Sequence, residues 1–212
     1  LRIMVFKELF GDEDWLRIVL VVGAFFFLVT RVWKILTRKK NIYRGVRNAK
    51  KQRHGKGVQL FSNGDKFEGE FVKDKYFKGT YTYAKGGSYT GHFVDQRPNG
   101  VGIEIYSDGT TKYEGSFKKG LRNGTGTITY KSGSYYKGAW KDGKKHGKGV
   151  HKGAVGKYDG EFKQGKRDGV GTMEYESGQY AKYKGRWKAG RWVGKGILVY
   201  RDGGRWEGMF VD

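Results

Sequence analysis

An aromatic-x-Gly triplet returns along this chain with a period of about one β-hairpin. It starts at Tyr43, Phe67, Tyr89, Tyr113, Tyr136, Tyr158, Tyr183 and Trp206, at separations of 24, 22, 24, 23, 22, 25 and 23 residues. A fixed period in this range marks units that stack on their neighbours. Five units carry a Gly-x-Gly pair at the same distance downstream: Gly100/Gly102, Gly124/Gly126, Gly147/Gly149, Gly169/Gly171 and Gly194/Gly196. The first unit has Gly55/Gly57 one residue later, and three units close on "YKSG", "YESG" or "YRDG".

Glycine inside a strand costs roughly 0.5–1 kcal/mol relative to alanine, yet this chain holds 37 glycines and a single proline. Aromatic residues make up 16% of it, so a packed structure is expected and not a disordered tract. Residues two apart on a strand share a face. Tyr113, Gly115 and Phe117 therefore point one way, and Gly124, Gly126, Ile128 and Tyr130 are expected to share one face of the returning strand. Each glycine is read as a gap in which a neighbouring ring lies flat against the backbone, so that ring burial offsets the glycine cost.

The unit resembles the MORN repeat, and "YDGEFKQGKRDGVGTMEYESG" at 158–178 carries the resemblance most fully. The second unit, "FEGEFVKDKYFKGTYTYAKGG", lacks the Gly-x-Gly pair, and the fifth lacks the second-strand aromatic. The resemblance implies a mainly β fold: an extended single-layer antiparallel sheet of stacked hairpins over residues 43–212, about seven units plus a partial eighth. It also implies a binding or scaffolding role in membrane contact, lipid binding or organellar assemblies.

The first 40 residues hold only Gly11 and Gly23 and differ in kind. "WLRIVLVVGAFFFLVTRVW", Trp15 to Trp33, is 19 residues long, about 27 Å as a helix against a hydrocarbon core of ~30 Å. Arg17 and Arg31 sit near its ends, where long cations snorkel, and a tryptophan marks each interface. We expect a membrane-spanning helix over 15–36, an interfacial segment over 1–14 and a basic linker over 37–42; a helix buried in a large soluble assembly is the alternative. "GDED" before the apolar run argues against a secretory signal. The cations that follow, from Lys34 to Arg53, place the repeats on the cytosolic or matrix side.

No catalytic, cofactor or metal constellation is expected. "GKRDGVGT" and "GKKHGKGV" lack the terminal Gly-Lys-Ser/Thr of a phosphate loop. The four histidines have no ligand spacing and read as turn or surface residues, and no acidic pair is set apart for acid/base work. With no cysteine, a disulfide framework and thiolate metal sites are excluded.

The formal net charge of +22 calls for anionic partners. Cations recur two or three positions before each Gly-x-Gly: Arg53, Arg97, Arg122, Lys144, Lys145, Lys166, Arg167 and Arg191. Stacked in register, they are expected to form one ridge along an edge of the sheet that meets an anionic membrane or protein; polar turns kept basic for solubility are the alternative. "WEGMFVD" supplies one strand of an eighth unit, and Trp206, Glu207, Met209 and Phe210 are expected to form a protein-interface edge. The functional expectation is a non-enzymatic, membrane-anchored scaffold, such as an accessory subunit of a mitochondrial respiratory complex. A nucleic-acid-binding basic repeat protein is the alternative.

Overall fold

The computed structural model describes residues 40–211 together with Phe27 and Val29. Apart from those two residues, the segments expected as an interfacial stretch (1–14) and a membrane-spanning helix (15–36) lie outside the described residues, as does the first half of the 37–42 linker. Among the described residues, no helix is long and apolar enough to cross a membrane.

The repeats fold into hairpins because each unit supplies two alternating stretches separated by residues that accept φ > 0. In chain order the strands are β1 (Ile42–Arg47), β2 (Arg53–Leu60), β3 (Lys66–Val72), β4 (Lys75–Thr82), β5 (Ser88–Val94), β6 (Arg97–Ile105), β7 (Lys112–Lys118), β8 (Leu121–Thr129), β9 (Tyr135–Lys141), β10 (Lys144–Gly153), β11 (Gly156–Lys163), β12 (Lys166–Tyr175), β13 (Tyr180–Lys188), β14 (Arg191–Tyr200) and β15 (Arg205–Phe210). They form one antiparallel sheet in which every strand lies beside its sequence neighbours. In the six hairpins from β3–β4 to β13–β14 the strands are joined by two residues that both have positive φ, such as Lys119 (52°) and Gly120 (86°); this turn matches the strand twist.

One glycine from each of the fifteen strands stands opposite the next across the whole sheet, from Gly45↔Gly57 through Gly115↔Gly126 and Gly126↔Gly138 to Gly196↔Gly208. A ring covers this row. A Cβ on Gly149 would lie 2.6 Å from the Tyr136 ring, and one on Gly102 would lie 2.6 Å from the Tyr89 ring. The reading of glycines as ring seats therefore holds for the aromatic-x-Gly glycine and for the second glycine of each pair.

It fails for the first glycine of the pair. In β7–β8, Gly115 faces Gly126 and Phe117 faces Arg122, so Asn123, Gly124 and Thr125 stand against Ser116 alone. Gly124 has φ +99°, and a Cβ there would meet the Ser116 Cβ at 3.0 Å, on the face away from the rings. Gly124 is a bulge residue in the left-handed region, which glycine enters without steric cost. The second hairpin keeps its seat at Gly79 but has only Phe77 as an extra residue between Tyr76 and Lys78, a shorter bulge that explains its missing pair.

Fifteen rings form a continuous zigzag above the glycine row: Tyr43, Phe71, Phe67, Phe93, Tyr89, Phe117, Tyr113, Trp140, Tyr136, Phe162, Tyr158, Trp187, Tyr183, Phe210 and Trp206. Successive centroids are 4.7–5.4 Å apart with interplanar angles of 74–89°. Edge-to-face pairs of this kind add about 0.5–1.5 kcal/mol beyond area burial. The ladder tyrosine hydroxyls are satisfied locally: Tyr43, Tyr89, Tyr113, Tyr136, Tyr158 and Tyr183 each donate to the carbonyl three residues on, at 2.7–3.1 Å. The Trp140 and Trp187 Nε1 groups donate to the carbonyls of Gly126 (3.1 Å) and Gly171 (3.2 Å).

All four histidines lie in strands, not turns: His54 in β2, His92 in β5, and His146 and His151 in β10. His151 shares the ring face and is half-buried.

Candidate functional site

The residue directly across from the second ladder ring of a hairpin lies on the ring face. Along the sheet these residues are Tyr76 (opposite Phe71), Pro98 (Phe93), Arg122 (Phe117), Lys145 (Trp140), Arg167 (Phe162) and Trp192 (Trp187). From β4 to β14 the column is apolar at both ends and cationic in the middle; Arg53 precedes it on β2, across from Arg47.

Those three cations lie down on the rings. The Arg122 guanidinium is 4.5 Å from the Trp140 centroid and 5.6 Å from that of Tyr113, and Arg167 is 4.8 Å from Trp187 and 5.5 Å from Tyr158. The Lys145 ammonium is 5.0 Å from the Tyr136 ring and 5.8 Å from that of Tyr130. Their stems cover the ladder while the ring faces attract the charge, an interaction of about 0.5–2 kcal/mol. The next hairpin fixes their backbones: the Arg122, Lys145 and Arg167 carbonyls accept from the N–H groups of Gly143, Gly165 and Gly190 at 2.9, 2.9 and 2.8 Å.

None of the three has a carboxylate partner among the described residues, and the ion pairs fall elsewhere. Lys66–Glu68, Lys112–Glu114, Lys182–Glu174 and Lys195–Glu207 lie on the opposite face at 2.6–3.4 Å. Arg53, of the same set by its sequence offset, is already engaged: it pairs with Asp74 at 3.2 Å and donates to Gln59 at 3.0 Å.

The result is a half-buried strip of positive charge without ion-pair partners among the described residues; Glu104, across from Tyr89 and Tyr113, is on the same face and is engaged by Tyr106. Burial, with added repulsion from Arg167 and Arg122, pushes the Lys145 ammonium down to about 8. Burial, then Lys145 and Arg167, push His151 down to about 4, so it is neutral at pH 7. Such a strip favours an arriving anion, which removes the repulsion without displacing an existing partner.

The eight sequence-predicted cations do not form one ridge. Arg53, Arg122, Lys145 and Arg167 are half-buried on the ring face, whereas Arg97, Lys144, Lys166 and Arg191 stand opposite Val94, Lys141, Lys163 and Lys188 and are exposed with the opposite parity. A strand cannot put adjacent residues on one face, so the expectation of a single ridge is corrected to two sets. The signal was present as an offset: ring-face members stand two residues before the first glycine of the pair, and the others stand three before.

The expected interface edge is also divided. Trp206 and Phe210 close the ring ladder, while Met209 (68% exposed) and Glu207, paired with Lys195 and Arg205, lie on the other face. Among the described residues, no group of three or more His, Asp or Glu side chains could hold a metal ion.

Comparison with known protein families matches the MORN repeat at residues 50–66, 78–88, 89–111, 113–135, 136–157, 158–180 and 183–205, well over half of the chain. The chain belongs to the MORN-repeat family. Five of these MORN matches begin on a ladder ring, at Tyr89, Tyr113, Tyr136, Tyr158 and Tyr183, and the shortest falls on the hairpin with the reduced bulge. Membership supports a repeat protein that binds a membrane or another protein.

Proposed function

We propose that this chain is a non-enzymatic scaffold that is anchored by the apolar segment 15–36 and holds an anionic partner against the ring face of its MORN sheet. The observation that carries the reading is the strip of Arg122, Lys145 and Arg167, positioned by neighbouring turns and lacking ion-pair partners among the described residues. The anchor rests on the length, hydropathy and flanking charges of 15–36. An anchor joined to a binding array fits an accessory subunit of a large organellar membrane complex, with the repeats on the cytosolic or matrix side; a respiratory complex is one such assembly.

Nucleic-acid binding is the weaker reading. Rings that would stack on bases are consumed by the ladder, since Tyr113, Tyr136 and Tyr183 are fully buried.

Two measurements test the proposal. Alkaline carbonate extraction should leave the full chain in the membrane pellet, and release would refute the anchor. In zwitterionic detergent, the full chain should bind anionic ligands in a salt-sensitive way that depends on Arg122, Lys145 and Arg167. Binding indifferent to those residues would refute the site.

A further inference from the structure

The strip has a repeat distance, and that distance selects among anionic partners. Arg122, Lys145 and Arg167 occupy equivalent positions on β8, β10 and β12, two strands apart each time. With neighbouring strands ~4.8 Å apart, equivalent residues recur about every 9.6 Å along a line crossing the strands. A helix laid along that line presents the same face at every seventh residue, about 10.5 Å apart. Over three positions the mismatch is about 2 Å, within the reach of Arg and Lys side chains. A β-extended peptide repeats its face at about 6.6–6.8 Å and does not match; in a B-form nucleic-acid strand every third phosphate lies about 10.2 Å along the axis, but over that distance the backbone turns through roughly 105° and leaves the face.

We propose that this strip docks an acidic amphipathic α-helix running across the strands, with carboxylates at heptad spacing facing Arg122, Lys145 and Arg167. The inference deepens the anionic-partner reading and rests on it. Charge complementarity supports it: the three cations have no ion-pair partner among the described residues, Glu68, Glu114, Glu174 and Glu207 are paired on the other face, and the ring-face Glu104 is engaged by Tyr106. The half-buried rings flanking the strip, such as Tyr130 and Trp192, would meet the apolar part of the same helix face. A fluid bilayer surface imposes no spacing and gives no reason for one cation per hairpin lying flat on a ring.

The test uses the full chain in zwitterionic detergent and two synthetic, fluorescently labelled helical peptides of identical composition. One has glutamates at i, i+7 and i+14 on one face; in the other the same glutamates are distributed around the helix. Anisotropy titration should show the heptad peptide binding at least about tenfold tighter, since a close charge pair lost costs that much or more. The triple variant Arg122→Gln, Lys145→Gln, Arg167→Gln should abolish the difference. The variant Arg97→Gln, Lys144→Gln, Lys166→Gln changes net charge equally on the opposite parity and should preserve it. The comparison of peptides on the parent chain needs no variant, so it stands even if the first triple misfolds.

Equal affinity for the two peptides overturns the helix, as does equal damage from the two triples. A soluble inositol phosphate separates the outcomes. If its binding is lost only in the ring-face triple while the peptides are not distinguished, the anionic-partner reading stands and the helix fails. If no anion distinguishes the two triples, both fail.

Discussion

Lys144 and Lys145 are consecutive in β10 and belong to opposite faces of one sheet. Lys144 stands across from Lys141 and is exposed; Lys145 stands across from Trp140, with its ammonium 5.0 Å from the Tyr136 ring centroid. The two share charge and neighbours in sequence, yet only Lys145 is desolvated between Arg122 and Arg167.

This desolvation predicts a pH dependence of known sign. The groups around the Lys145 ammonium are Arg122 on β8, Arg167 on β12, His151 on its own strand and the rings of Tyr130 and Tyr136. Its folded value is pushed down to about 8 from an ordinary 10.5. Below pH 8 both states are protonated and the full cost of the buried charge is present. As pH rises from 8 toward 10.5 the folded state loses the proton first, and the cost disappears. Lys145→Met should therefore raise the Tm at pH 7, with a gain that shrinks by pH 9.5. The scan stops there because the folded Tyr113, Tyr136 and Tyr158 hydroxyls are pushed up to about 12, so unfolding is favoured above pH 10. A gain that grows with pH would contradict this environment.

The glycine row predicts a steric cost tied to a particular ring. A Cβ on Gly126 would overlap the Tyr113 hydroxyl and approach its Cε2 at 2.7 Å. Gly126→Ala should cost about 1–3 kcal/mol by overpacking. A Cβ on Gly133 meets nothing within 4 Å, though φ is +79°, so Gly133→Ala should cost only about 1–2 kcal/mol of backbone strain. Urea unfolding in a Tyr113→Ala background separates the causes. The Gly126→Ala penalty should fall by at least about 1 kcal/mol there, and the Gly133→Ala penalty should stay the same.

Trp187 tests the ladder's polar handles. Its Nε1 donates to the Gly171 carbonyl at 3.2 Å in a buried setting. Trp187→Phe keeps an aromatic at a position where Phe71, Phe93 and Phe117 already serve. It should cost about 1–3 kcal/mol, the range for a buried acceptor left unsatisfied plus lost area. No measurable change in the urea midpoint would mean that the bond contributes nothing.

At the end of the described sheet, β15 pairs only with β14. Its far side keeps backbone groups free to pair with another strand. Hydrogen exchange over 206–210 should slow in the native membrane assembly relative to the chain in detergent, and equal exchange in both would remove this edge as an interface.

The hairpins, the seat glycines and the tally of seven units plus a strand were legible because period and strand parity survive in the residues themselves. The two kinds of glycine in each pair were not. Parity counted back from Gly126 puts Gly124 on the ring face, but its left-handed φ in a bulge turns it to the other face. The cations were merged for a related reason: Lys144 and Lys145 differ by one residue, and only a count from Gly147 separates them. The half-burial of His151 follows from its place on the ring face beside Lys145, which composition does not disclose.

Covalent lysine labelling of the full chain, in native membranes and after purification into detergent, tests the central claim that the ring face is the docking face. Lys144 and Lys145 are read separately by mass spectrometry. The account predicts that Lys144 labels to the same extent in both preparations. Lys145 should be protected in the membranes and become reactive after purification or a high-salt wash. Protection of Lys144 with Lys145 equally reactive in both preparations would place the partner on the opposite face and contradict the account.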